Sequence, residues 1–166
     1  MMLTDLLAIS HVPRWSIVPH HPMQTVAAHS HRVAVIYLEL CRRLKKDPSL
    51  RGLTWAIVHD GPESRTGDIP GVFKREVNGE LEKAERRVCA WFDDALLPPP
   101  ADKLLVKVAD LVETFTYIRY YGIGPHARLV GDRIWQQLDV LLAATDWMQT
   151  VRVLVDDILT DAGRIG

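Results

Sequence analysis

An all-α single domain of about six or seven helices is the fold this sequence predicts, and three observations predict it. Apolar residues recur at spacings of three and four along several long segments. No stretch alternates with period two over a useful length. Clusters of Pro, Gly and other turn-forming residues cut the chain between the periodic segments. At 166 residues the chain is long enough to bury roughly 70% of its extended surface without a disulfide or structural metal. There is no βαβ rhythm and no internal repeat, so residues 1–166 are read as one domain.

Each element has its own signal. Val26 to Leu44 places Val26, Val33, Ile36, Tyr37, Leu40, Cys41 and Leu44 on one helical face. Pro48 and Ser49 open a shorter segment, Leu50 to Val58, whose Leu53, Trp55, Ala56, Ile57 and Val58 read as a buried helix ending near His59. A loop from Gly61-Pro62 through Gly67 to Pro70-Gly71 follows. Val77 to Leu97 reads as one helix, charged outside (Glu80, Glu82, Lys83, Glu85, Arg86, Arg87) and apolar inside (Leu81, Ala84, Val88, Trp91, Phe92), stopped by Pro98-Pro99-Pro100. Asp102 is expected to cap the next helix, which runs to about Tyr121 with Gly122 and Gly124 as terminators. Two further helices are expected, from about Pro125 to Ala143 and from about Asp146 to Leu159.

Composition narrows the function classes. Twenty Lys+Arg against 21 Asp+Glu leave a formal charge of -1, which argues against a cationic binder of a nucleic-acid polymer. No uninterrupted apolar stretch approaches the roughly 18 residues of a membrane span, so no membrane partner is expected. Cys41 and Cys89 are the only thiols and lie far apart, and no apolar leader is visible, so an intracellular, cytoplasmic location is expected. Seven histidines remain to be explained.

His59-Asp60, at the end of a buried helix, is the first informative pair. An imidazole nitrogen and a carboxylate oxygen suit a divalent transition metal, but two ligands hold it poorly. His29 lies on the long apolar-faced helix, and Asp110 interrupts the apolar run Val106-Lys107-Val108-Ala109-Asp110, where an unpaired carboxylate would be costly to bury. Together His29, His59, Asp60 and Asp110 would supply two nitrogens and two oxygens, with room for water and a substrate oxygen. A single helical histidine is more often a hydrogen-bonded core or surface residue, and His11, His20, His21, His31 and His126 are read that way. The ordered set on three helices favours the metal site, and its donors suit Zn, Co or Mn, and Fe as well.

The order of pieces resembles the HD-domain phosphohydrolases, in particular their bacterial 5'-deoxynucleotidase branch. The resemblance rests on Arg14-Trp15, Ala28-His29-Ser30, His59-Asp60 with Glu63, Thr66-Gly67-Asp68-Ile69-Pro70, Lys74, and Leu105 to Asp110, and covers about Arg14 to Asp110. Ala28 stands where that branch usually has Glu, which removes a contact supporting the first histidine. The short chain and Arg14-Trp15-Ser16-Ile17 also look like the dATP triphosphohydrolases of phages that replace adenine by 2-aminoadenine. The resemblance implies an HD-type helical bundle and a metal-dependent phosphohydrolase acting on dATP to release deoxyadenosine and triphosphate. The alternative is a 5'-deoxynucleotidase of deoxynucleoside monophosphates. A non-catalytic nucleotide-binding module is the third reading, but it would be expected to have lost Glu63, Asp68 or the phosphate cations. The resemblance further implies a homo-oligomer, dimer or hexamer, and the host cytoplasm if the chain is phage-encoded.

Roles follow from the same comparison. Glu63 and Asp68 are the catalytic carboxylates it implies, with acid and base unassigned; without the surrounding motif they would read as a solvated loop residue and a turn cap. Arg14, Lys74 and Lys107 are the expected phosphate cations, Lys107 because it lies three residues before Asp110 on nearly the same face. Trp15, in a loop bounded by Pro13 and Pro19, would pack against the sugar and exclude a 2'-hydroxyl, while Ile17 would shape the base pocket. Trp55, Trp91, Trp135 and Trp147 are read as core or subunit contacts.

Overall fold

The computed structural model describes residues 2–77, 79–91, 96–144 and 146–162. Six helices of nine residues or more carry the fold: α2 (Val26–Arg43), α3 (Leu50–Val58), α6 (Glu80–Val88), α7 (Pro100–Tyr121), α8 (Gly124–Ala143) and α9 (Asp146–Ala162). Three short ones join them: α1 (Met2–Ala8), which runs into a 3-10 turn over Ile9–His11, α4 (Glu63–Thr66) and α5 (Gly71–Glu76). Among the described residues there is no strand, only isolated bridges between Pro13 and Thr25 and between His20 and Gly122.

The core forms around α7. Its Leu105, Val106, Val108, Ala109, Leu111 and Val112 are buried and join Val33, Tyr37, Leu40 and Cys41 of α2, Ala56 of α3, Leu138 and Leu142 of α8, and Val151 and Val155 of α9. α7 packs most extensively on α2 and α8, and α3 lies across both α2 and α7. Helix starts follow local chemistry: the Thr25 hydroxyl accepts the Ala28 amide of α2, and the Ser49 hydroxyl accepts the Gly52 amide of α3. Gly52 lies so close to α2 that a β-carbon there would overlap the Tyr37 hydroxyl.

Several expectations are corrected. Asp102 is not the cap of α7, because the helix begins two residues earlier at Pro100, whose fixed φ suits the first helical position. Its buried carboxylate instead accepts the Ser49 hydroxyl at 2.5 Å and pairs with Lys46, tying the start of α3 to α7. Val77 to Leu97 is not one helix: Gly79 adopts φ 87 before α6, and the chain turns extended at Cys89. No residue of α6 is fully buried, so no core-facing stripe fixes where this helix starts and stops. The loop expected after Gly61 contains α4, and α5 follows Pro70. Gly122 ends α7 in an extended conformation rather than a left-handed one. Phe92 and the side chain of Trp147 lie outside the described residues.

Between α1 and α2 an irregular arm crosses the bundle end. The Arg14 amide bonds the Gln24 carbonyl at 2.9 Å, Val26 bonds Val12 at 2.9 Å, and Ile123 bonds Pro19 at 2.8 Å. These bonds hold Arg14 and Trp15 beside α7.

Candidate active site

The site lies where α2, the end of α3 and the middle of α7 converge. His29 stands in the second turn of α2 and is fully buried; His59 ends α3 with Asp60 next; Asp110 lies mid-α7. Donor atoms of His29, His59 and Asp60 fall within 4.8 Å of one another. His29 Nε2 is 3.4 Å from Asp60 Oδ2 and 3.3 Å from Asp110 Oδ1, and His59 Nε2 is 3.5 Å from Asp60 Oδ2. Both Nε2 atoms are buried without a hydrogen bond, while both Nδ1 atoms are engaged, His29 with Glu113 at 2.6 Å and His59 with the Ala56 carbonyl at 3.2 Å. Two imidazoles oriented by their far nitrogens and two carboxylates beside them form a donor set that fits a divalent transition metal.

The electrostatics say that this cluster wants a cation. Burial opposes charge on Asp60, yet the imidazoles of His59 and His29 and the Arg14 guanidinium prevail and hold it at about 2. Asp110 is likewise buried, but Lys107 and His29 hold it well below the usual carboxylate range. Burial pushes His59 down and so favours the neutral imidazole that a metal needs. For His29, burial and Arg14 disfavour a proton, but the carboxylates of Asp110 and Glu113 outweigh them and raise it.

Glu63, first residue of α4, is buried with Oε1 held by Lys74 Nζ at 2.7 Å and Oε2 unpartnered. Burial, then the Asp60 charge, pushes its carboxyl up to about 8. Lys74 thus turns inward to Glu63, while Phe73 and Glu76 are exposed. Asp68 does not cap α5; its carboxylate accepts the Trp15 amide at 3.0 Å. Arg14 donates to Asp60 at 3.2 Å, and Lys107 Nζ reaches Asp110 at 2.6 Å.

Two cavities meet here. A polar chamber of about 270 Å³ is lined by Arg14, Trp55, His59, Asp60, Glu63, Asp68, Lys74, Lys103, Lys107 and Asp110. An adjoining slot of about 220 Å³ shares Arg14, Asp68, Lys74, Lys107 and Asp110 with it. Its remaining wall is mainly apolar, built by Trp15, Ile17, Val18, Ile69, Pro70, Val72, Leu111, Val130 and Ile134, with Thr114, Arg133 and Gln137 as polar points. Trp15 stacks on Tyr117 with centroids 5.9 Å apart and planes 10° apart, and Ile17 is half exposed at the rim. All eleven residues singled out in the sequence thus line this site or support it.

Four others were not singled out. Glu113 orients His29, and it lay within reach of the reasoning used for Asp110, being another carboxylate on the same apolar helix, three residues on. Lys103 sits one turn before Lys107 in the polar chamber; among the described residues it makes no ion pair, unlike Arg14, Lys74 and Lys107. Gln24 and Tyr117 carry no sequence signal. Ala28 is exposed on α2, and His29 receives its support from Glu113 across the bundle instead. Trp91 donates to Asp5 at 2.9 Å and Trp135 packs on Phe115 at 5.3 Å, both structural, whereas Trp55 lines the chamber.

A family model described as HD domain matches residues 8–116. A dATP triphosphohydrolase of Salmonella phage PMBT28 is 31% identical over 134 residues, covering 74% of this chain and 69% of that protein. A dATP triphosphohydrolase of Cyanophage S-2L is 30% identical over 143 residues, covering 81% and 79%. Among solved structures, a Cyanophage S-2L HD phosphohydrolase (DatZ) bound to dA and one catalytic Zn2+ ion superposes with a TM-score of 0.83 at 22% identity, covering 97% of this chain and 98% of that one.

Proposed function

The chain belongs to the HD-domain family, and from that premise we propose that it is a metal-dependent phosphohydrolase converting dATP and water into deoxyadenosine and triphosphate. The observation that carries this reading is the junction of a donor cluster and four cations with an apolar, aromatic-walled slot. A nucleotide has that same division. Its relatives from Salmonella phage PMBT28 and Cyanophage S-2L are named for this activity.

His29, His59, Asp60 and Asp110 would hold the metal. Bound there, a divalent ion supplies Lewis acidity to the phosphoryl oxygens and lowers the pKa of water. Arg14, Lys74 and Lys107 neutralise phosphate oxygens, Arg14 from a planar fork and the lysines as point charges. Lys103 adds a fourth cation to the polar chamber, which supports a triphosphate over a monophosphate substrate. Hydrolysis breaks the bond between the α-phosphorus and the 5'-oxygen, which leaves with a proton as deoxyadenosine while water oxygen joins the phosphorus. Glu63 and Asp68 are the two carboxyls at hand for those proton movements. Trp15 forms the wall that the deoxyribose faces, and a 2'-hydroxyl would meet its ring; Ile17 and Ile134 flank the base.

We further assign a cytoplasmic setting, that of the host if phage-encoded; among the described residues no helix is long and apolar enough to cross a membrane. A homo-oligomer, dimer or hexamer, is supported by Leu129, Val140 and Val153, exposed on α8 and α9. Incubation of the Zn- or Co-loaded protein with dATP, dAMP, dGTP and ATP, followed by product separation, tests the reading. Deoxyadenosine and triphosphate from dATP are expected; turnover of dAMP alone would overturn the assignment, and equal turnover of ATP would remove the role of Trp15.

A further inference from the structure

We propose that Gln24 is a positioning residue that joins the aromatic wall of the slot and the metal ligand His29 into one hydrogen-bonded unit, so that sugar discrimination and metal affinity depend on the same amide. The inference rests on the roles given above to Trp15 and His29. Trp15 Nε1 donates to Gln24 Oε1 at 2.8 Å, Gln24 Nε2 donates to Glu113 Oε1 at 2.7 Å, and Glu113 Oε2 accepts from His29 Nδ1 at 2.6 Å. Gln24, Glu113 and His29 are all buried, so the two bonds of Glu113 are shielded from water, and the Trp15 bond is partly buried.

The chain of bonds has only one polarity. An indole N–H can only donate, so the amide must present its oxygen to Trp15 and its NH2 to Glu113. That leaves the Glu113 carboxylate to accept, and its second oxygen receives the proton on His29 Nδ1. The Nε2 edge of the ring then faces Asp60 and Asp110, at 3.4 and 3.3 Å. The donor-only ring at the sugar wall thus fixes which way the Gln24 amide faces, and the amide in turn holds the carboxylate that orients His29.

The wall itself needs this anchor. Trp15 adopts φ 66, a conformation that non-glycine residues rarely hold unless their surroundings enforce it. Asp68 holds its amide, Tyr117 stacks under its ring, and Gln24 is the hydrogen-bond partner of its indole. Arg32 lies 3.5 Å from Glu113 Oε1 and over the Tyr117 ring, but it is half exposed and reaches neither Trp15 Nε1 nor His29.

The test uses Gln24→Met, which keeps side-chain length and removes both bonds, and Trp15→Phe, which keeps a ring and removes only the N–H. Metal-free protein is titrated with Co2+ and the visible absorption followed, and kcat/KM is measured separately for dATP and ATP. Gln24→Met is expected to weaken Co2+ binding about tenfold or more and to lower the dATP-to-ATP ratio about fivefold. Trp15→Phe is expected to weaken Co2+ binding in the same direction although it touches no ligand. A folded Gln24→Met protein with wild-type Co2+ affinity and ratio overturns the proposal while leaving the dATP reading intact. If Gln24→Met does not fold, unchanged Co2+ affinity in Trp15→Phe overturns it instead. Wild-type protein that leaves dATP untouched refutes the functional reading, and the Co2+ titrations still decide the coupling.

Discussion

His29, His59, Asp60 and Asp110 stand on or directly beyond α2, α3 and α7, the helices that build the core, whereas Arg14, Trp15, Ile17, Asp68 and Lys74 ride on an arm, a turn and a six-residue helix. The first group is held by packing: shifting any one of its side chains would move a helix whose other face is buried. The second is held by a few hydrogen bonds, from Trp15 to Asp68 and Gln24 and from Lys74 to Glu63. The proposed metal ligands therefore sit on the rigid half of the site, and the proposed sugar and base contacts, with Asp68 and Lys74, on the adjustable half, where sequence can change without disturbing the core.

Asp110→Asn probes the rigid half and carries the largest expected effect. Its carboxylate is buried against His29, so the change should lower kcat by about a thousandfold and deplete bound metal. Far-UV circular dichroism should keep its helical signal. An active, metal-replete Asp110→Asn protein would erase the distinction between the halves.

Lys103→Ala probes a cation that the rigid half contributes to substrate binding, since Lys103 stands on α7. It removes from the chamber an exposed cation that makes no ion pair among the described residues, so KM for dATP should rise about tenfold, the worth of one charge-assisted hydrogen bond. Turnover of dAMP and thermal stability should stay unchanged. Equal losses on both substrates would place Lys103 at the first phosphate.

The smallest effect concerns Glu63, at the seam between the halves. In the metal-free protein its folded carboxyl, near 8, keeps a proton that the unfolded chain releases near 4.5. Stability present below pH 4.5 is then lost as pH rises through about 8. Glu63→Gln mimics the protonated form, so the melting temperature of the wild type should fall below that of the variant by a few degrees over this window. Parallel pH curves would mean that Glu63 is solvated.

Sequence legibility divides along the same line. Apolar periodicity located α2, α3, α7, α8 and α9 to within a few residues, because each spends a full face on the core. α1, α4 and α5 are too short to show a period. The span from Val77 to Leu97 misled because charged residues at helical spacing say nothing about where a helix stops, and the Gly79 turn decided it. In the site, His29, His59, Asp60 and Asp110 were visible as polar interruptions of apolar runs, and the resemblance supplied the remaining seven. Gln24 had no such contrast, lying in an arm of mixed composition.

Residue order and periodicity by themselves determined the helical class and the metal-ligand candidates, because burial of a helix face and the cost of an unpaired charge are local rules, while the cations came with the resemblance. Tertiary structure alone decided which nitrogen of His29 faces the ligands, that Lys74 and Asp68 turn to Glu63 and Trp15, and that Gln24 links two functions. Those outcomes depend on hydrogen bonds between residues as far apart as 89 positions, and no spacing along a chain encodes which donor-only group will meet which acceptor once the helices pack.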